Sequence, residues 1–176
     1  MATDATSAPK LWEGRFYEDL DAGDVFRSRF GRTVTEYDNI LFTGLTHNTN
    51  SVHFDAVHAA RTQFGQILVN STFTLALVTG LTVQDTSENA AANLAWTDIS
   101  LPNPVFVGDT LWAESEILDK RESKSRPNVG IVAMRTRGIK QRKQVVIEYR
   151  RTFMLYKRSA PEVERSFPGT GEEWRV

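Results

Sequence analysis

Apolar side chains recur along this chain in two rhythms. Up to residue 82 the spacing is helical: Tyr37, Ile40, Leu41, Gly44 and Leu45 return every three or four positions, and Phe73, Leu75, Ala76, Leu77, Val78 and Leu81 cover nearly every side of residues 71–82. The first pattern predicts a helix opened by Thr35 as N-cap. Glu36 and Asp38 then fall in its first turn, where negative charge meets the positive end of the helix dipole. The second predicts a helix buried all round rather than amphipathic, with Asn70 and Ser71 as its cap residues. Between them, Asp55 is placed to cap a short helix through Ala56, Val57, Ala59 and Ala60, ended by Gly65.

After a polar loop over residues 85–92 the rhythm becomes that of strands. Residues 94–101 lead into a turn at Pro102, Asn103 and Pro104, and Leu111, Ala113, Ser115 and Ile117 then alternate with Trp112, Glu114 and Glu116. Residues 129–139 and 145–156 read as two long strands joined as a hairpin through 140–143. On the second, Val145, Ile147, Tyr149, Phe153 and Leu155 share a face that only Arg151 interrupts. A weaker alternation over 24–30 predicts a first strand. Residues 1–10 read as a disordered arm, Trp12, Phe16 and Tyr17 as aromatics available to dock on the body, and 159–176 as an extension over the surface. A helix that must be covered on every side and several one-sided antiparallel strands are satisfied together by a curved sheet wrapped around the helix. That is the α+β hot-dog arrangement, as one domain over residues 11–158.

Composition narrows the class without changing the fold. A chain of 176 residues suits a single core. With 21 basic and 22 acidic residues the net charge of -1 gives no reason to expect nucleic acid or an anionic membrane as partner. The absence of cysteine excludes disulfides and thiol catalysis and leaves a metal only histidines and carboxylates, whose spacing here is a poor match to a zinc site. No basic start followed by an apolar run marks a secretory signal, and the longest apolar segment, residues 73–83, is too short to span a bilayer. A cytoplasmic enzyme or binding protein is the expectation.

Candidate chemistry concentrates in residues 43–71. All three histidines, His47, His53 and His58, lie there with Asn48, Asn50 and Asp55, directly ahead of the apolar helix that begins at Ser71. Asparagine is a common turn residue and Asp55 a natural cap, so the stretch can be a structural loop as well as a working site.

Asn48-Thr49-Asn50-Ser51-Val52-His53, the downstream Phe64-Gly65, and Pro104-Val105-Phe106-Val107-Gly108-Asp109-Thr110 resemble the MaoC-like dehydratases, also called R-specific enoyl-CoA hydratases. Their pattern is Gly-Asp-x-Asn-Pro-x-His, then Phe-Gly, then His-Gly at the start of the central helix. Asn89-Ala90-Ala91-Ala92-Asn93-Leu94-Ala95-Trp96, Arg135-Thr136-Arg137-Gly138 and Asn70-Ser71 resemble the mesaconyl-CoA hydratase-like branch, which handles branched C5 dicarboxylyl thioesters. The resemblance implies a hot-dog fold, a homodimer or higher homo-oligomer, an acyl-CoA thioester substrate, no cofactor, and syn addition of water across a trans-2-enoyl-CoA double bond.

Carried over residue by residue, the resemblance makes His53 the catalytic histidine and Asn50 the asparagine that shapes the site. Asn48 stands where the family has its aspartate, Ser51 replaces the proline, and Asn70-Ser71 replaces the His-Gly whose glycine amide polarises the thioester carbonyl. An amide has no useful proton affinity, so Asn48 orients a water but does not deprotonate it. Histidine, titrating near pH 6.5 in model peptides, can serve as base toward water and then as acid toward C2. The Ser71 amide, at a helix N-terminus, is left to stabilise charge on the thioester oxygen. The alternative that Asn48 raises is a non-catalytic acyl-CoA-binding or regulatory hot-dog protein. A thioesterase is weaker still, because residues 66–83 contain no carboxylate.

Overall fold

The computed structural model describes residues 12–163. In chain order the regular elements are strands β1 (Val25–Arg27) and β2 (Arg32–Thr33), helices α1 (Glu36–Leu45), α2 (Ala56–Ala59) and α3 (Ser71–Thr82), and strands β3 (Ala90–Ser100), β4 (Thr110–Glu122), β5 (Val129–Lys140) and β6 (Gln144–Tyr156). The strands form one antiparallel sheet in the order β1-β4-β5-β6-β3, with β2 also on β4, and the sheet is not closed. The hairpin expected at 140–143 is there, turning through Arg142 and Lys143 at positive φ.

Helix α3 packs on one face of this sheet. Val78 meets Ile147 and the backbone of Gly138, where a Cβ would come within 2.6 Å of both side chains, so only glycine lets the helix approach this closely. Around that contact Leu111, Ala113, Val146, Ile147 and Tyr149 form one core cluster. Tyr17, Leu20, Ile117, Val132, Met134, Phe153 and Leu155 form a second. The N-terminal aromatics dock as expected: Phe16 and Tyr17 are buried, and the Trp12 indole N–H donates to Glu88 at 2.8 Å.

The structure departs from the sequence reading in several places. Helix α3 is not buried all round: Thr74, Val78 and Thr82 face the sheet, whereas Ala76 and Gly80 are exposed, because the open sheet covers a single side of the helix. Helix α1 is turned over relative to its apolar stripe. Asn39 and Thr43 are its buried residues, and Tyr37, Ile40, Leu41 and Leu45 are 72, 46, 44 and 71% exposed. The first strand is two short ones, broken where Gly31 passes against the Trp112 ring at a spacing no side chain would allow. Residues 83–87 continue α3 as a π-helical turn and β3 starts at Ala90, ahead of the loop end expected from polarity. A bulge between Gly138 and Ile139 opposite β6 moves Val145 off the buried face and brings Val146 onto it.

Arg151 lies buried on β6, 2% exposed, beneath the last turn of α3. Its guanidinium is 3.4 Å from Thr82 Oγ1 and 4.5 Å from the centre of the Phe153 ring. Burial lowers its pKa from the ordinary arginine value, and the neighbouring Tyr149 acts in the opposite direction. Residue 151 is therefore an internal fixture at the end of α3 remote from Ser71. The tail beyond the sheet closes with a short turn at Pro161–Val163; residues 1–11 and 164–176, with the arm and most of the extension, lie outside the described residues.

Candidate active site

Asn50 opens a single 3-10 turn, Ser51–His53, with its side-chain oxygen accepting the Val52 N–H at 3.3 Å. The strip of chain just before α3 runs alongside this turn. Leu68 N–H donates to the Val52 carbonyl and Val69 N–H to the Val105 carbonyl, each at 3.0 Å, so residues 67–69 bridge the histidine turn and the Pro104-to-Asp109 turn. Asp109 fixes the latter. Its carboxylate accepts the Phe106 N–H at 3.0 Å and the buried Lys140 ammonium at 2.9 Å.

His53 is buried, 7% exposed, and its Nδ1 lies 2.9 Å from the Leu68 carbonyl oxygen. A carbonyl can only accept, so Nδ1 carries the proton and the neutral ring keeps its lone pair on Nε2. Among the described residues Nε2 has no hydrogen-bond partner, and it is not sealed from solvent. The ring is thus held by one nitrogen and offers the other as a base.

Asn39 ties this turn to α3. Its side-chain amide donates to the His53 carbonyl at 2.8 Å and, more distantly, to the Leu68 carbonyl at 3.5 Å, while its side-chain oxygen accepts the Asn70 N–H at 2.9 Å. Asn70 in turn caps α3: its side-chain oxygen accepts the Thr72 N–H at 3.0 Å and the Thr72 hydroxyl at 2.6 Å. Ser71 is the exposed first residue of the helix, and its N–H has no acceptor among the described residues. A groove of about 370 Å³ opens against Asn39, walled by Ile40, Ala56, Ile67 and Val107 with Glu36 and Gln66 on its rim. That volume falls at the low end for small-molecule sites.

Asn48 and Asn50 sit together in the loop that follows α1, whose last turn gives way to His47 at φ 52°. The Asn48 side-chain oxygen accepts the Asn50 N–H at 3.1 Å, and its backbone N–H donates to the Thr43 carbonyl at 3.1 Å. One lone pair of that oxygen is therefore engaged within the turn. Asp55 caps α2, accepting the Val57 and His58 N–H groups at 2.9 Å each. His47 and His58 are exposed whereas His53 is buried, and among the described residues no three His, Asp or Glu side chains gather as a metal site.

Asn39 and Thr43 escaped the sequence reading. The available signal was an asparagine inside a helix, a residue that competes with helical backbone hydrogen bonds, with a second polar residue four positions on and opposite the apolar stripe. The arginines of the Arg135-Thr136-Arg137-Gly138 motif point elsewhere: Arg135 pairs with Glu116 at 2.7 Å and Arg137 with Glu148 at 2.9 Å. The basic loop at Lys124 and Arg126 follows the far end of β4 from the Asp109 turn, 13 residues and roughly 40 Å along the strand.

The family profile described as mesaconyl-CoA hydratase matches residues 4–171. This chain belongs to that family. A mesaconyl-CoA hydratase of Cereibacter sphaeroides is 34% identical over 145 residues, 82% of this chain and 42% of the relative. The structure of a MaoC-domain dehydratase from Chloroflexus aurantiacus is 31% identical and superposes with a TM-score of 0.80, covering 88% of this chain and 44% of that one. A Mycobacterium tuberculosis protein with a double hot-dog fold is 22% identical with a TM-score of 0.76 over 88% of this chain and 47% of that one, a likeness that shows the fold alone. This member of the mesaconyl-CoA hydratase family therefore has the hot-dog fold anticipated from its sequence, and it spans under half the length of the mesaconyl-CoA hydratases it matches.

Proposed function

We propose that this protein is a cofactor-free hydratase/dehydratase that adds water reversibly to an enoyl-CoA thioester, with His53 as the acid/base. The observation that carries the reading is the single tethered nitrogen of His53, which leaves Nε2 unprotonated and reachable in the neutral ring. Nε2 takes a proton from water as the oxygen bonds to C3. The C2=C3 electron pair moves toward the thioester carbonyl, and the imidazolium returns a proton to C2. The Ser71 N–H, at the α3 N-terminus with its share of dipole charge, stabilises the enolate oxygen in between. Asn48 keeps one oxygen lone pair with which to orient the water. Asn50 and Asn70 hold the loop and the helix start that the substrate meets. The relatives' names bring short branched dicarboxylyl thioesters forward as the first substrates to try.

Loss of enoyl-CoA absorbance on the purified protein measures the reaction. His53→Ala should lower turnover by roughly 10²–10⁴-fold, the usual contribution of a general acid/base; unchanged turnover would remove the assignment. The engaged Asn48 oxygen favours a second reading, a non-catalytic acyl-CoA-binding protein, because no carboxylate base replaces it. Thermal stabilisation by acyl-CoA with no turnover on short, branched or dicarboxylic enoyl-CoAs would select that reading.

A second copy of the chain completes the proposal. Strand β3 ends the sheet, and Leu94, Trp96 and Ile99 along it are 47, 39 and 46% exposed, an unprotected apolar edge suited to pairing with its equal. Light scattering on the full chain tests this, and a monomer at micromolar concentration would exclude it.

A further inference from the structure

We infer that Asn39 is a positioning residue that couples the His53 imidazole to the amide end of α3. Its hydrogen bonds reach three backbone groups on two stretches of chain, the histidine turn and the strip that leads into α3: the His53 and Leu68 carbonyls as acceptors and the Asn70 N–H as donor. Asn39 is fully buried, so the His53 carbonyl and the Asn70 N–H would otherwise lie unsatisfied away from water, and the Leu68 carbonyl would keep only its bond from His53 Nδ1. An amide side chain is required there. It donates and accepts at once, whereas an ionised aspartate accepts only and leucine does neither. Glutamine has the chemistry but is one methylene too long for a closed site.

The Leu68 carbonyl is also the group to which His53 Nδ1 donates, so what holds that carbonyl holds the tautomer and tilt of the ring. At the other end, Asn70 directly precedes Ser71, so what holds the Asn70 N–H sets where the Ser71 N–H points. A thioester reacting here needs Nε2 at the double bond and an N–H at the carbonyl oxygen simultaneously. Misplacement by about 1 Å can cost on the order of 10²-fold in rate. Asn39 acts through its neighbours rather than on the reacting atoms. The geometry stands without the hydratase reading, and the kinetic consequence rests on it.

The test joins nitrogen-15 NMR of the histidine rings with kinetics on the full chain. His47→Gln and His58→Gln isolate the His53 signals. Wild-type neutral His53 should show the Nδ1–H tautomer. In Asn39→Leu, and in Asn39→Asp, which retains only the acceptor for Asn70, the signals should move to a mixture of tautomers, with kcat lower by roughly 10²-fold and KM little changed. A wild-type ring in the Nε2–H form overturns the inference with no variant needed. A folded variant that keeps both the Nδ1–H tautomer and kcat also overturns it. A tautomer shift in the variants, with a wild type that turns over no enoyl-CoA, sustains the positioning role and removes the hydratase reading instead.

Discussion

Helices α1 and α3 are built from similar apolar residues and are used in opposite ways. Helix α3 lays Val78, wholly buried, against Ile147 and Gly138 of the sheet, with Phe73, Leu75, Leu77 and Leu81 packed on the same core and the threonines Thr74 and Thr82 buried beside it. Helix α1 turns Leu45 and Tyr37 to the outside and buries Asn39 and Thr43. The difference lies in what each helix covers. The sheet under α3 has already paired its backbone polar groups, so apolar burial decides the contact. The loop under α1 has not: the carbonyl of His53 and the N–H of Asn70 need partners, and leaving one buried group unpaired costs about 1–3 kcal/mol. That cost exceeds the gain from burying one more partly exposed leucine, so the polar stripe faces inward.

Matched substitutions test the contrast most directly, beginning with the largest effect. Val78→Lys places a charge and a longer chain in a closed aliphatic site, and should cost more than about 4 kcal/mol, enough to unfold the domain in a denaturant titration. Gly138→Ala asks for the same contact to open by the width of a methyl and should cost roughly 1–3 kcal/mol, read as a shift of the urea midpoint at constant m. On α1, Thr35→Ala removes the side chain that accepts the Asp38 N–H and should lower stability by about 1 kcal/mol. Leu45→Lys, the counterpart of Val78→Lys, should change it by less than about 0.5 kcal/mol, and a larger loss would show that this face of α1 is covered in solution.

The pH dependence of α1 gives one more, smaller test. The Arg32 guanidinium, and after it the Thr35 side chain and backbone, hold the Asp38 carboxyl well below the usual carboxylate range. A folded-state pKa below the unfolded one contributes stability above the unfolded value, and the contribution is lost as pH falls through the folded value. The α1 cap should therefore persist through about pH 4, where free aspartate protonates, and fail only in stronger acid. Arg32→Ala should move that loss to higher pH in stability curves measured across the acid range; an unmoved acid limb would show that Thr35 alone suffices.

Much of the local structure was legible in the chain. Thr35, Asp55 and Asn70 start their helices because a side-chain oxygen beside a free N–H is a local matter, settled within three residues. The long strands β4, β5 and β6 follow from alternation, and the turn at 140–143 from the polar break between them. The candidate site was legible in part. His53 and Ser71 stood out by motif, and the structure places both around the start of α3. Asn39 did not stand out, because its partners lie 14, 29 and 31 residues away and no short window contains them.

By itself, then, the sequence determined where helices and strands begin, that one apolar helix and a set of one-sided strands must share a core, and which histidine stands in a recognisable motif. Each of these depends on neighbours in the chain or on a period along it. Tertiary structure alone decided which face of α1 turns inward, that α3 is covered on one side only, that Val146 replaces Val145 in the core, and that His53 is tethered through Nδ1. Those outcomes turn on backbone carbonyls and amides, which every sequence carries alike and which acquire partners only when distant segments meet.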